Sequence, residues 1–167
     1  MNSNFNIDIL PSLPIRIILA DDDSDDCFFF GKALKSSSVP SGLMTFHNGD
    51  IFMEYLAKNV NLLPHIAFLD LNMPGKNGSD CLFELKNNPN LKDLPVIIYS
   101  TSLHTDIVDH LYNEGAHYYL SKPDLADLKS ILHYILRLRS ETPFNKPARE
   151  NFVLNATFMD NPKEILI

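Results

Sequence analysis

The chain has 167 residues, 45% hydrophobic and 21% charged, which suits a single globular domain with an ordinary core. Its net charge of −7 argues against non-specific nucleic-acid binding, and no apolar run approaches the roughly 20 residues needed to cross a bilayer. Met1 to Leu10 lacks the basic flank and apolar core of a signal peptide, so the expectation is a cytoplasmic protein without membrane contact.

Residues 1–14 are polar and proline-punctuated and read as a leader with little structure. Ile15 to Ala20 is apolar except for Arg16 and predicts a first strand, ending in Asp21-Asp22-Asp23. Ser24 to Ser37 predicts a helix. Ser24 is a capping residue, Asp25 and Asp26 suit the positive end of the dipole, and Cys27, Phe30 and Leu34 share one face. In the run Phe28-Phe29-Phe30 most of the aromatic surface is expected in the core, with one ring facing elsewhere. Leu43 to His47 predicts a second strand, and Asn48-Gly49-Asp50 opens a helix carrying Ile51, Phe52, Tyr55 and Leu56. His65 to Leu69 is a third strand ending at Asp70, after which Pro74-Gly75 turns the chain.

Gly78-Ser79-Asp80 leads into a helix with Cys81, Leu82 and Leu85. A fourth strand spans Leu94 to Tyr99, followed by a helix from Thr105 to Asn113 that stops at Gly115. His117 to Leu120 is a fifth strand, and Pro123-Asp124 opens a last helix that runs to Arg139 and ends in basic residues. Cys27 and Cys81, without a CxxC pair, read as buried thiols. Five strand–helix pairs in strict alternation predict a parallel sheet covered on both faces. Residues 141–167 break the pattern, yet carry the apolar clusters Phe152-Val153-Leu154, Phe158-Met159 and Ile165-Leu166-Ile167. A solvated tail is poor in such residues, so this extension is expected to dock on its own domain or on a second copy.

Four strand ends therefore place Asp21-Asp22, Asp70, Ser100-Thr101 and Lys122 at one edge, where ligands bind in open parallel sheets. Clustered carboxylates raise one another's pKa unless a cation sits among them, and a few hard oxygen ligands suit Mg²⁺. Lysine and hydroxyl groups opposite make an anion site around a carboxylate that can itself be a nucleophile. Taken singly, each piece has a plainer meaning: an acidic helix start, a turn aspartate, a loop lysine. A calcium loop is disfavoured, because Asp26 and Lys32 stand where such a loop needs Gly and Glu. None of the six histidines has metal-ligand spacing or a catalytic neighbour.

Ile18-Leu19-Ala20-Asp21-Asp22-Asp23, Leu69-Asp70-Leu71-Asn72-Met73-Pro74-Gly75, Leu94-Pro95-Val96-Ile97-Ile98-Tyr99-Ser100 and Leu120-Ser121-Lys122-Pro123 resemble, in order and spacing, the receiver domains of two-component response regulators. The resemblance covers residues 15–140 and implies a five-stranded flavodoxin-like α/β fold of strand order 2-1-3-4-5. It also implies Asp70 as phospho-acceptor. Asp21, Asp22, Asp70 and the Asn72 backbone carbonyl would hold Mg²⁺, and Ser100 and Lys122 would contact the phosphoryl group. Tyr119 would be the aromatic switch, with Ser100 and Thr101 beside it. Thr101 stands where the family usually has a smaller residue, so its methyl is expected to restrict the inward rotamer of Tyr119.

The implied partner is a sensor histidine kinase or a histidine phosphotransfer protein. Output is expected through contacts with an unidentified protein target, and a homodimer is compatible with this. The helix from Thr105, the fifth strand and the last helix are the expected output face. Two rivals exist: a phosphorylation-independent interaction module, disfavoured by the complete acidic, hydroxyl and lysine set, and an Mg²⁺-dependent aspartyl phosphatase. The latter needs an acid two residues after its nucleophile, where this chain has Asn72.

Overall fold

The structure, a computed structural model, describes residues 13–102, 104–141 and 143–155. Along the chain run β1 (Ile15–Ala20), α1 (Ser24–Leu34), β2 (Ser41–Phe46), α2 (Gly49–Lys58), β3 (Ile66–Leu69), α3 (Gly78–Asn87), β4 (Val96–Ser100), α4 (Thr105–Asn113), β5 (Tyr118–Ser121), α5 (Leu125–Glu141) and β6 (Val153–Leu154). All strands pair in parallel in the order β2-β1-β3-β4-β5-β6. The expected 2-1-3-4-5 order is therefore present, with a sixth strand added from the C-terminal extension.

The sheet divides the core in two. On one face Ile18, Ala20, Ala67, Leu69, Val96 and Ile98 pack against Phe52 and Leu56 of α2, Leu82 and Leu85 of α3, and Val108 and Leu111 of α4. On the other, Ile17, Leu19, Phe68 and Ile97 meet Phe30 and Leu34 of α1 and Leu128, Ile131, Leu132 and Ile135 of α5. β3 is buried at all four residues, which is why it reads as an unbroken apolar run. No described helix is long and apolar enough to cross a membrane.

Several element ends shift by one or two residues. The cap of α1 is Asp23, whose Oδ1 accepts from the N–H groups of Asp25 at 2.8 Å and Asp26 at 3.2 Å. Asp and Ser cap equally well, so sequence alone does not separate Asp23 from Ser24. The helix stops at Leu34 rather than Ser37, because the N–H groups of Ser36 and Ser37 turn back to Ala33 and Leu34, each at 3.1 Å. Only Phe30 of the aromatic run is buried; Phe28 and Phe29 both face outward and stack edge-on, centroids 5.7 Å apart. Two rings, not one, leave the core because the buried stripe of the helix runs through Cys27, Phe30, Ala33 and Leu34, at spacings of three and four that pass over positions 28 and 29. Cys27 and Cys81 are free and buried, and burial pushes their thiols up to about 11 and about 12.

The described part of the extension docks on its own domain. Phe144 packs against His117 and Tyr118, and Lys146 lies 3.7 Å from the centroid of the Tyr112 ring. Arg149 donates through Nε to Asp109 at 2.7 Å, tying the segment to α4. Phe152 is fully buried against Tyr112 and Tyr119, and its carbonyl accepts the Tyr119 N–H at 2.9 Å, setting the register of β6. The leader through residue 12, and the clusters Phe158-Met159 and Ile165-Leu166-Ile167, lie outside the described residues.

Candidate functional site

The C-terminal ends of β1, β3, β4 and β5 meet, because parallel register aligns them: Ala20 pairs with Leu69, Leu69 with Ile98, and Ser100 with Ser121. The residues that follow are thereby delivered to one place. The Asp70 N–H donates to the Ala20 carbonyl at 2.8 Å, so β1 itself fixes where the β3 acid begins. The loop beyond is held tightly. Gly75 has φ of +71°, and a Cβ on Gly78 would lie 2.1 Å from the Asp70 carbonyl oxygen, so only glycine lets α3 start so close.

Carboxylate oxygens of Asp21, Asp22 and Asp70 lie within 4.8 Å of one another. Asp21 is fully buried and Asp70 nearly so, whereas Asp22 is exposed. Asp21 Oδ1 accepts from the Asp23 N–H at 3.0 Å, and Asp70 Oδ2 from the Asn72 N–H at 3.3 Å. Burial pushes the Asp70 carboxyl up to about 6, with the Asp21 charge adding and Lys122 opposing. Asp21 is also raised, again chiefly by burial.

Lys122 Nζ sits among three carboxylates, 2.7 Å from Asp26 Oδ2, 2.8 Å from Asp21 Oδ2 and 3.7 Å from Asp70 Oδ1. The contact to Asp26 has hydrogen-bond geometry. The contact to Asp21 Oδ2 is a bare ion pair, and that buried oxygen has no hydrogen-bond partner. Burial works against the Lys122 charge, yet the contacts to Asp21 and Asp26 carry its pKa above the ordinary lysine value. The Tyr99 ring forms its floor, 5.2 Å from Nζ. A cavity of about 470 Å³, lined in part by Asn72, Ser102 and His110, opens beside the acids toward α4.

This arrangement has counterparts among known proteins. The sequence pattern of the response regulator receiver domain matches residues 17–133. Response regulator Rcp1 of Synechocystis sp. is 32% identical over 134 residues, which cover 77% of this chain and 91% of that protein. The two-component response regulator ARR7 of Arabidopsis thaliana is 31% identical over 136 residues, 76% of this chain and 65% of that one. The solved structure of phosphorylated RcpA, a cyanobacterial phytochrome response regulator, superposes with a TM-score of 0.71 at 32% identity, covering 81% of this chain and all of that one. The structure of the Mn²⁺-bound form of Rcp1 gives 0.69 at 33%, with 81% and 100% covered. The chain belongs to the response regulator receiver domain family. Receivers take phosphoryl groups from histidine kinases or phosphotransfer proteins, hold a divalent metal at their acidic site, and signal by phosphorylation.

Within this receiver, Ser100 is fully buried at the end of β4, and its Oγ accepts from the Ser102 N–H at 3.4 Å. Tyr119 is also fully buried, with its ring turned inward. Its hydroxyl has no partner in hydrogen-bond geometry, and burial raises its pKa, with Ser100 opposing. Thr101 is exposed, and the Tyr119 ring is backed by Phe152 of the extension, their centroids 6.5 Å apart.

Two contributors were not singled out from sequence. Asp26 reads as a helix-dipole acid, yet it is a nearest partner of Lys122. His47 lies at the end of β2 with Nδ1 2.9 Å from the Asp21 carbonyl oxygen, bracing the acidic turn from the neighbouring strand. The signal for His47 was positional: it follows β2, and β2 is the parallel partner of β1.

Proposed function

We propose that this chain acts as a single-domain response regulator of a cytoplasmic two-component phosphorelay, with Asp70 as the phospho-acceptor. The observation that carries this reading is the three-carboxylate cluster with the Lys122 ammonium 3.7 Å from Asp70. A carboxylate oxygen of Asp70 attacks phosphorus, a P–O bond forms, and the P–N bond of a donor phosphohistidine breaks, leaving the imidazole on the partner. Lys122 and the Ser100 hydroxyl would take charge from the phosphoryl oxygens.

The donor set fits a hard divalent cation. It gathers oxygens of three carboxylates within 4.8 Å, two of them buried, around the single charge of Lys122. Asp21, Asp22, Asp70 and the Asn72 carbonyl would hold Mg²⁺, which when bound supplies positive charge to the transferring phosphoryl group. The raised Asp70 pKa agrees with a site built for one more cation than the protein itself provides.

Output would pass through α4, β5 and α5 to a protein target. The Tyr119 ring joins the site to that face, because it lies beside Ser100 on one side and Phe152 on the other. Labelling with acetyl phosphate in Mg²⁺ tests the acceptor. Asp70→Asn abolishes it, since an amide is a poor nucleophile. Acid-stable labelling of that variant, on serine for example, would sink the assignment.

A further inference from the structure

We propose that Asp26 is the resting partner of Lys122, a positioning residue that holds the lysine beside Asp70 and sets how readily it is surrendered to a phosphoryl group there. The proposal rests on the reading of Asp70 as acceptor. Lys122 Nζ lies 2.7 Å from Asp26 Oδ2 but 3.7 Å from Asp70 Oδ1, so the ammonium in this structure favours a residue outside the reaction over the acceptor. Asp26 is also the partner met with hydrogen-bond geometry.

Asp26 differs from the other acids in what it can do. It is not among the carboxylates whose oxygens gather within 4.8 Å, so a cation held by Asp21, Asp22 and Asp70 does not share it. Such a cation competes with Lys122 for Asp21 and Asp70 by like-charge repulsion. Asp26 then remains as the carboxylate the lysine keeps to itself. The backbone makes its place firm: the Asp26 N–H is tied to the Asp23 cap at 3.2 Å in the first turn of α1, and α1 is anchored through the fully buried Phe30. The lysine is confined too, with a side chain only 10% exposed and the Tyr99 ring beneath it. It therefore has two stations, Asp26 before phosphorylation and the phosphoryl oxygens after it. Leaving the first is a cost charged against the phosphorylated state. The Asp26 side chain is 34% exposed, so that cost is the modest one of a partly solvated ion pair.

The test titrates the full chain with beryllofluoride, a tetrahedral mimic of aspartyl phosphate, in saturating Mg²⁺, followed by tyrosine fluorescence or amide chemical shifts. Asp26→Asn binds about five-fold tighter than the parent. Asp25→Asn removes the same charge from the same helix turn without touching Lys122 and stays within about two-fold. Asp26→Glu restores the partner and returns affinity toward the parent, which a loss of helix-end stability alone would not do. In a Lys122→Met background, Asp26→Asn has no further effect, as a double-mutant cycle requires. Unchanged or weaker binding by Asp26→Asn, equal tightening by Asp25→Asn, or tightening that survives in Lys122→Met overturns the proposal. Binding by the parent that is lost in Asp70→Asn tests the acceptor reading separately, so the two failures are distinguishable.

Discussion

Replacing Asp70 by Asn makes the folded protein more stable at neutral pH. Asp70 is 5% exposed, beside the buried Asp21, and burial carries its pKa from the ordinary 3.8 to about 6. The folded carboxyl thus binds its proton more tightly than the unfolded one. Between about pH 4 and 6 the native state holds more protons, and stability falls as pH rises through that window. Above it the penalty is complete, and a shift of that size corresponds to roughly 3 kcal/mol at most. The opposing Lys122 charge at 3.7 Å is already contained in that shift, and partial solvation and relaxation around the site leave a gain of about 2 kcal/mol. For a domain of this size that raises the midpoint of thermal unfolding by about 4–8 °C.

The assay is urea and thermal unfolding of parent and variant from pH 3.5 to 8, in EDTA and then in Mg²⁺. The advantage of Asn shrinks as pH falls through about 6 and is gone near pH 4. Saturating Mg²⁺ erases it from the other side, because the cation stabilises the folded parent by mass action. A variant no more stable than the parent at pH 7, or an advantage that persists unchanged at pH 4, would refute the electrostatic reasoning.

Other substitutions probe neighbouring parts of the structure. Asp22→Ala weakens Mg²⁺ binding, read by calorimetry, yet leaves the unfolding midpoint in EDTA equal or higher, since Asp22 is exposed among like charges. Lys122→Ala strands three carboxylates around a nearly buried position and costs about 3 kcal/mol at pH 7 in EDTA, a loss that Mg²⁺ partly restores. The same variant, once phosphorylated, lacks the chemical-shift changes along α4, β5 and α5 that the parent shows. Phe152→Ala opens a cavity between Tyr112 and Tyr119 and costs about 3–4 kcal/mol in chemical denaturation. A loss under 1 kcal/mol would mean that the extension contributes little to the fold.

Much of this protein could be read from its residues in order. Unbroken apolar runs such as Ile66–Leu69 signal buried parallel strands without any knowledge of their neighbours, because both faces of such a strand are covered. Their alternation with amphipathic helices then dictates the parallel sheet. Asp21, Asp70, Ser100 and Lys122 stood out because each follows a strand, and parallel register brings such ends together. What tertiary structure decided was which long-range partners those groups meet. Asp26 and Lys122 are 96 residues apart, and only the packing of α1 against α5, the helix that follows Lys122, turns a helix-dipole acid into a lysine's counter-ion. His47 braces Asp21 because β2 runs beside β1. The Phe152 ring behind Tyr119 and the sixth strand come from an extension whose apolar residues announce that it docks, but not where. Hydrophobic content sets a demand for burial, while the open edge of β5 and the space beside Tyr112 determine the place.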